Sequence, residues 1–264
     1  MTGMTTGREA ASGAGRPVAL VTGVGRTAGI GAGIARGLAG AGWDIAFTYW
    51  TPYDARMSWG VEAGAADAVA ATLAERGART VAVEADLADP GAPERVFDEA
   101  EGALGGVTAL VMSHCESVDS GLLDTTLESF DRHFAVNARA TWLLIREYGR
   151  RFRGSPGTGR VIGLTSDHTV GNLPYGASKG ALDRIVLAAA HELAHLGITA
   201  NVLNPGPVDT GWMSDGIREH VLGRTPLGRL GTPRDAAHLV AFLCSPQGQW
   251  INGQLLKSDG GFAG

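Results

Sequence analysis

Lysine is the scarcest charged residue in this chain, and arginine supplies almost all of its positive charge. Lysine and arginine together number 22, yet only Lys179 and Lys257 are lysines. Cysteine is equally rare. Cys115 and Cys244 are too few for a disulfide framework and lack metal-site spacing, which predicts a reducing, cytoplasmic setting. No apolar run is long enough to span a bilayer, so we predict no membrane segment.

The charge balance excludes two further classes of partner. The formal net charge is -5 and the pI is about 5.8, so nothing draws the chain electrostatically to nucleic acid or to an anionic membrane. Residues 1–16 are rich in Gly, Thr, Ala and Ser and have no hydrophobic stretch. We therefore predict a flexible N-terminal leader over residues 1–16 and not a signal peptide, followed by one domain over residues 17–264.

Short β-branched segments alternate along the chain with Ala-rich and Leu-rich segments of helical length. The strand-like segments are apolar without polar alternation, which is typical of a parallel sheet covered on both faces. We predict an α/β fold: a single-domain, Rossmann-type doubly wound parallel sheet with helices on both faces. The predicted strands include residues 18–22, 44–49, 80–84, 109–112, 161–166, 199–204 and 255–258.

A glycine-rich turn follows the first predicted strand. Gly23, Gly25 and Gly29 let the backbone turn tightly and approach a pyrophosphate, whose charge is met by amides at the start of the next helix. Ser166 falls at the end of a later predicted strand. Ligands of open α/β sheets lie beyond the carboxyl ends of the strands, so the pattern predicts a nucleotide crevice near Ser166.

Lys179 stands four residues after Tyr175, which is one helical turn. A cation near a phenol favours the phenolate and lowers its pKa from an ordinary value of about 10. The pair is therefore a candidate acid and base, while a solvated surface pair is the alternative.

Together these motifs resemble the short-chain dehydrogenase/reductase family over residues 18–261, in particular its 3-oxoacyl-[acyl-carrier-protein] reductases. The resemblance implies a catalytic tetrad of Asn137, Ser166, Tyr175 and Lys179. The cofactor-binding residues assigned with it are Gly23, Gly25, Arg26, Gly29, Ile30, Tyr49, Asp86, Leu87, Tyr175, Lys179, Pro205, Gly206, Val208 and Thr210.

The resemblance also implies a role for each member of the tetrad. Tyr175 exchanges a proton with the substrate oxygen, and Lys179 lowers its pKa and binds the nicotinamide ribose. Ser166 polarises the carbonyl, and Asn137 supports a water relay to Lys179. The alternatives are a strand-end turn residue for Ser166 and a polar group bonded to backbone for Asn137.

The predicted cofactor is NADPH/NADP+ in preference to NADH. NAD enzymes usually have an acidic residue at the end of the second strand, and the matching residue in this chain is Tyr49. Arg26 is a candidate partner for the 2′-phosphate, and a solvated loop residue is the alternative.

Four features depart from the family pattern. Met112-Ser113-His114-Cys115 stands where the family usually has Asn-Asn-Ala-Gly, and the spacing from Ser166 to Tyr175 is short. The glycine-rich turn has two extra residues between Gly23 and Gly29. Residues 51–64 form a longer segment than the family usually carries, which either folds over the adenine end of the cofactor or decorates the surface.

Histidines raise two further hypotheses. His114 and His168 fall near the inferred site and are candidates for substrate contact or proton transfer; a buried histidine satisfied by backbone is the alternative for each. His191-Glu192-Leu193-Ala194-His195 matches a zinc-protease signature. No third ligand is evident, so we predict no metal site.

The substrate is the least constrained prediction. A free ketone and an acyl thioester both remain open, and the arginines at 146, 150, 151, 153 and 160 are a candidate docking face for an acyl carrier protein, or else a solvated face. A non-catalytic NADP(H)-binding regulator with the same fold is the alternative function. The resemblance also implies a homo-oligomer, a tetramer or a dimer.

Overall fold

We describe residues 15–262 of the chain from a computed structural model. Seven parallel strands form one sheet in the order β3-β2-β1-β4-β5-β6-β7. The strands are β1 (Val18–Thr22), β2 (Asp44–Tyr49), β3 (Thr80–Glu84), β4 (Val107–Met112), β5 (Gly159–Leu164), β6 (Ile198–Asn204) and β7 (Leu255–Lys257). The strand order reverses between β1 and β4, and at such a reversal the loops that follow adjacent strands diverge and leave a crevice.

Helices cover both faces of this sheet. They are α1 (Ile30–Gly40), α2 (Thr51–Arg56), α3 (Ala65–Ala74), α4 (Ala92–Leu104), α5 (Leu127–His133), α6 (Ala140–Arg151), α7 (Leu173–Glu192), α8 (Asp215–Arg224) and α9 (Pro233–Cys244). Neighbouring residues of β1 enter different cores. Leu20 packs with residues of α4, α6 and α7, whereas Val21 packs with residues of α1, α3 and α9. Successive strand side chains point to opposite faces, so the predicted doubly wound, Rossmann-type fold is confirmed.

Two helices were missing from the sequence prediction. Only Asp54 of α2 and only Val221 of α8 are buried, so neither helix has the apolar stripe from which helices are predicted. The sequence pattern also predicts one long helix within residues 127–153, but the structure has α5, a π-helical turn (Phe134–Arg139) and α6 there. Asn137 lies in the π-helical turn, a feature that is common at functional sites.

The predicted leader lies outside the described residues except for Gly15 and Arg16. The Arg16 guanidinium donates hydrogen bonds to the carbonyls of Ala39 (2.7 Å) and Trp43 (3.0 Å) and lies 3.4 Å from the Asp44 carboxylate. Residue 16 is therefore held against the domain. Within residues 15–262, no helix is both long and apolar enough to cross a membrane.

The arginines proposed as a docking face do not form one continuous exposed surface. Arg160 is buried in β5 and donates to main-chain carbonyls, among them that of Leu243 at 2.9 Å. Arg151 lies 2.7 Å from the Asp98 carboxylate, and Arg150 lies 3.5 Å from that of Glu147. Including Arg160 in the docking face was wrong, because its position on a central strand directs the side chain into the protein.

Candidate active site

A cleft of about 1340 Å³ opens at the carboxyl ends of the strands, where the strand order reverses. All of the predicted cofactor-binding residues line it, together with Ser166, His114 and His168. Asn137 is the one member of the predicted catalytic tetrad that does not line the cleft, because its side chain is fully buried. The fold thus brings together residues that are separated by almost the whole sequence.

The glycine-rich turn (residues 23–29) forms one wall of this cleft. Gly23 has a φ of 76°, and a Cβ built on it would lie 2.6 Å from the main chain of His114. Gly29 caps α1 without a side chain, and the first turn of α1 contains no acidic residue. The first amides of α1 are thus left without a side-chain cap, and they form a favourable site for an anion. These features fit the phosphate groups of a dinucleotide.

Ser166, Tyr175 and Lys179 meet beyond the end of β5. The Lys179 ammonium lies 5.7 Å from the centre of the Tyr175 ring, one turn away in α7. Ser166 lines the same cleft as Tyr175 and lowers the pKa of its phenol. A hydroxyl, a phenol and an ammonium therefore converge on the cleft, which is the arrangement that proton transfer at a bound carbonyl or alcohol requires.

The pKa of the Tyr175 phenol depends mainly on its burial in the cleft. Burial raises the pKa of its phenol, Cys115 raises it further, and the hydrogen bond with Ser166 lowers it. Burial has the largest effect because the phenolate loses hydration in the cleft, and lowering of this pKa by Lys179 and a bound cofactor stays a prediction. Tyr175 therefore keeps its proton at neutral pH, which is the state of a general acid.

Lys179 is buried between two main-chain carbonyls. Its ammonium donates hydrogen bonds to Leu164 at 2.9 Å and to His114 at 3.4 Å. Burial lowers the pKa of Lys179, while Cys115 and Asp183 raise it. A planar guanidinium differs from an ammonium in shape and in donor geometry. This narrow site is a physical reason for a lysine in a chain that otherwise uses arginine.

The floor of the cleft is built by Ser113, His114 and Cys115. The His114 Nε2 lies 3.0 Å from the Val136 carbonyl, and its Nδ1 lies 2.6 Å from the Thr22 hydroxyl. A carbonyl only accepts, so we assign the proton to Nε2 and the acceptor role to Nδ1.

Burial and the nearby Lys179 lower the pKa of His114 to about 3, so the ring is neutral at physiological pH. Both ring nitrogens are engaged within the floor. His114 thus corresponds to the alternative of a buried, satisfied histidine, and nothing in its contacts supports proton transfer.

His168 lies at the exposed mouth of the cleft. Its main-chain N–H donates to the Ser166 hydroxyl at 3.1 Å, and its ring Nε2 lies 3.0 Å from the Val170 carbonyl. The short loop between β5 and α7 therefore folds back on Ser166 and leaves His168 at the rim, where a substrate contact stays a prediction.

Asn137 acts on the loop that follows β4. Its amide oxygen accepts from the Glu116 N–H at 2.8 Å, and its amide nitrogen donates to the Glu116 carbonyl at 2.9 Å. The Asn137 carbonyl accepts from the Thr141 hydroxyl at 2.8 Å. Asn137 therefore fixes the loop below the cleft. These contacts agree with the alternative that Asn137 is a polar group bonded to backbone, and its role in a water relay stays a prediction.

Arg26 extends across the cleft. One guanidinium nitrogen donates to the Thr210 carbonyl at 2.8 Å and to its hydroxyl at 3.1 Å, and the guanidinium lies 4.6 Å above the Trp59 ring. Tyr49 is half-buried at the end of β2. Contact between Arg26 and a 2′-phosphate stays a prediction, since its hydrogen bonds in this structure go to Thr210.

The segment of residues 51–64 packs against the cleft. Tyr53, Arg56 and Trp59 all line the cleft wall. Of the two alternatives, surface decoration therefore does not describe this segment. Its contacts run to the glycine-rich turn and to the loop after β4.

Sequence reasoning missed several other lining residues. Glu116 is buried and lies 3.0 Å from Arg56 and 3.4 Å from Arg132, an ion-pair network with no local sequence signal. Helix α8 contributes Ile217, His220, Val221 and Arg224 to the mouth. Ser214, whose hydroxyl caps α8 by accepting from the Ile217 N–H, is a sequence signal for the start of this helix.

The zinc-protease signature does not form a metal site of the usual kind. Helix α7 ends at Glu192, and the His195 ring donates to the Glu192 carbonyl at 2.9 Å. The two histidines therefore do not share one continuous helix. In the part of the chain that the structure describes, no three His, Cys, Asp or Glu side chains are grouped to hold a metal ion.

Comparison with known proteins places this site in a family. A family model described as Enoyl-(Acyl carrier protein) reductase matches residues 23–263. An uncharacterized oxidoreductase, YjdA, of Bacillus subtilis is 38% identical over 93% of this chain and 96% of its own length. An NADPH-dependent aldehyde reductase-like protein of Arabidopsis thaliana is 34% identical over 93% of each chain.

Solved structures give the same result. A dehydrogenase/reductase from Sinorhizobium meliloti superposes with a TM-score of 0.84 at 36% identity, covering 95% of this chain and 96% of that one. A blue fluorescent protein from a metagenomic library, solved in complex with NADPH, superposes with a TM-score of 0.82 at 36% identity. The match covers 95% of this chain and 99% of that one. The reductase names disfavour the alternative of a non-catalytic regulator. The chain belongs to the short-chain dehydrogenase/reductase family of NAD(P)-dependent oxidoreductases.

Proposed function

We propose that the protein is an NADPH-dependent reductase of small-molecule ketones or aldehydes. The observation that carries the proposal is the meeting of Ser166, Tyr175 and Lys179 in the cleft beside the glycine-rich turn. NADPH bound in the cleft supplies the hydride that adds to the carbonyl carbon.

The residues of the chain supply the proton and the orientation. Tyr175 transfers its phenolic proton to the carbonyl oxygen, so the product is an alcohol. Ser166 donates a hydrogen bond to the same oxygen, and Lys179 binds the nicotinamide ribose and stabilises the phenolate that remains. The Tyr175 phenol carries its proton before reaction, as reduction of a carbonyl requires.

Two observations support NADPH over NADH. Tyr49 and Trp50 stand at the end of β2, the position where an Asp or Glu would bind the ribose hydroxyls and repel a 2′-phosphate. The Arabidopsis relative is named as NADPH-dependent, and the metagenomic neighbour was solved with NADPH.

A free carbonyl compound is preferred over a carrier-bound acyl thioester. The mouth of the cleft is lined by apolar side chains that include Val170, Trp212, Ile217 and Phe262, which suits an uncharged organic body. Arg160 is buried and Arg151 is ion-paired, which weakens the case for an acidic carrier protein. The proposal includes a cytoplasmic location. It also includes a homotetramer or a homodimer, and light scattering of the purified protein will test this oligomeric state.

The test is oxidation of NADPH and of NADH against a panel of ketones, aldehydes and 3-oxoacyl thioesters, with Tyr175→Phe as the control. We expect turnover of free carbonyls with NADPH and a loss in kcat of roughly 10²-fold to 10⁴-fold in the variant. The proposal fails if NADPH binds tightly and no carbonyl is turned over, or if Tyr175→Phe changes nothing.

A further inference from the structure

The inserted segment (residues 51–64) contacts the glycine-rich turn at three places. The Glu62 carboxylate accepts from the Thr27 N–H at 2.9 Å and from its hydroxyl at 2.6 Å. The Trp59 ring lies 4.6 Å from the Arg26 guanidinium. Asp54 lies against Gly25, where an added Cβ would come within 2.8 Å of the carboxylate. The lengthened turn and the longer segment therefore fit each other.

Internal contacts fix the orientation of the Trp59 indole. Asp54 is buried and accepts a hydrogen bond from the indole N–H at 2.8 Å. The Tyr53 ring packs 6.3 Å from the Trp59 ring and donates through its hydroxyl to the Ser117 carbonyl at 3.4 Å. The segment is thus anchored both at the turn and at the loop after β4, and the indole offers a fixed aromatic face to Arg26.

Arg26 connects two segments that lie 184 residues apart in sequence. The glycine-rich turn follows β1, and Thr210 follows β6, so the bonds of 2.8 and 3.1 Å cross the cleft. Both bonds use a single guanidinium nitrogen. Within residues 15–262 the other guanidinium nitrogens of Arg26 make no hydrogen bond to protein. They are therefore available to phosphate oxygens, because a guanidinium binds phosphate through paired N–H donors.

We propose that Trp59 and Glu62 are positioning residues of the dinucleotide site. They hold Arg26 and its turn across the cleft, so that the guanidinium binds phosphate oxygens of the cofactor and retards release of the cofactor. This inference rests on the proposed NADPH-dependent function. Trp59 acts through Arg26 by stacking on it, and Glu62 acts by fixing Thr27, the next residue in the turn.

Stopped-flow fluorescence of NADPH displaced by excess NADP+ tests the proposal, using Trp59→Leu, Glu62→Gln, Arg26→Ala and the Trp59→Leu/Arg26→Ala double variant. A cation–π contact of this kind predicts that Trp59→Leu speeds release about 3-fold to 30-fold. The loss of Trp59 is expected to have no further effect once Arg26 is absent. Glu62 is exposed, so Glu62→Gln is expected to fold normally and to speed release in the same direction.

Trp142→Leu is the matched control, because Trp142 stacks on Arg146 at 5.2 Å in α6 and does not line the cleft. It is expected to leave release unchanged. The proposal is overturned if Trp59→Leu and Glu62→Gln release NADPH at the wild-type rate, or if Trp59→Leu has the same effect with and without Arg26. Wild-type protein that binds NADPH but reduces no carbonyl would refute the proposed function alone, while the release rates still decide this inference.

Discussion

Asn137 hydrogen-bonds both main-chain polar groups of Glu116. The side-chain amide accepts at 2.8 Å and donates at 2.9 Å, as a paired strand would, and it also donates to the Ser178 hydroxyl at 2.8 Å. A single buried side chain thus joins the π-helical turn to the loop after β4 and to α7, the helix that carries Tyr175.

Asn137→Asp is expected to destabilise the protein by about 2–4 kcal/mol, because a carboxylate cannot donate to the Glu116 carbonyl or to Ser178. Urea denaturation gives the free energy of unfolding. Thr141→Val is the control, since it removes one hydrogen bond to the Asn137 carbonyl and should cost about 1 kcal/mol. Equal costs for the two variants would contradict the assigned contacts.

Lys179→Arg is expected to lower kcat by at least about 10²-fold, since the space between the Leu164 and His114 carbonyls is occupied by a compact ammonium. Lys179→Met should lose at least as much activity. Its thermal stability should equal or exceed that of wild type, because the variant no longer buries a cation. Steady-state kinetics and thermal denaturation measure the two effects, and an active Lys179→Met would rule out the assigned role.

His114 makes stability depend on pH in a defined direction. Its pKa is about 3 in the folded chain, against 6.5 ordinarily, so the unfolded chain binds more protons between these values and stability falls as the pH falls through this window. Between about pH 7 and pH 5 wild type should lose roughly 2 kcal/mol more than His114→Gln. Urea denaturation at the two pH values measures this difference. Parallel losses in both proteins would show that His114 is not held neutral.

Gly25→Ala is expected to weaken NADPH binding, because the added methyl meets the Asp54 carboxylate that holds Trp59. We expect a rise in Kd of about 5-fold or more, since displacing Asp54 costs on the order of 1 kcal/mol. Fluorescence titration measures Kd. Gly40→Ala in α1 meets nothing within 4 Å and should leave Kd unchanged while stabilising the fold by up to about 1 kcal/mol.

The apolar segments and the glycine-rich turn made the fold predictable. β1 and its neighbours are buried on both faces, so their sequences are mainly apolar, and all seven predicted strands are present. Helices α2 and α8 escaped prediction, because each buries only one side chain. A helix without an apolar stripe leaves little periodic signal in a sequence.

The candidate site was likewise predictable only in part. The sequence by itself determined which residues can carry the chemistry, since one helical turn separates Tyr175 from Lys179 and a glycine-rich turn follows a buried strand. Only the tertiary structure decided their protonation and contacts. Burial raises the pKa of Tyr175 and neutralises His114, and Arg26 meets Thr210 and Trp59. Hydration and long-range contacts depend on what the folded chain packs around a residue, which spacing along the sequence does not specify.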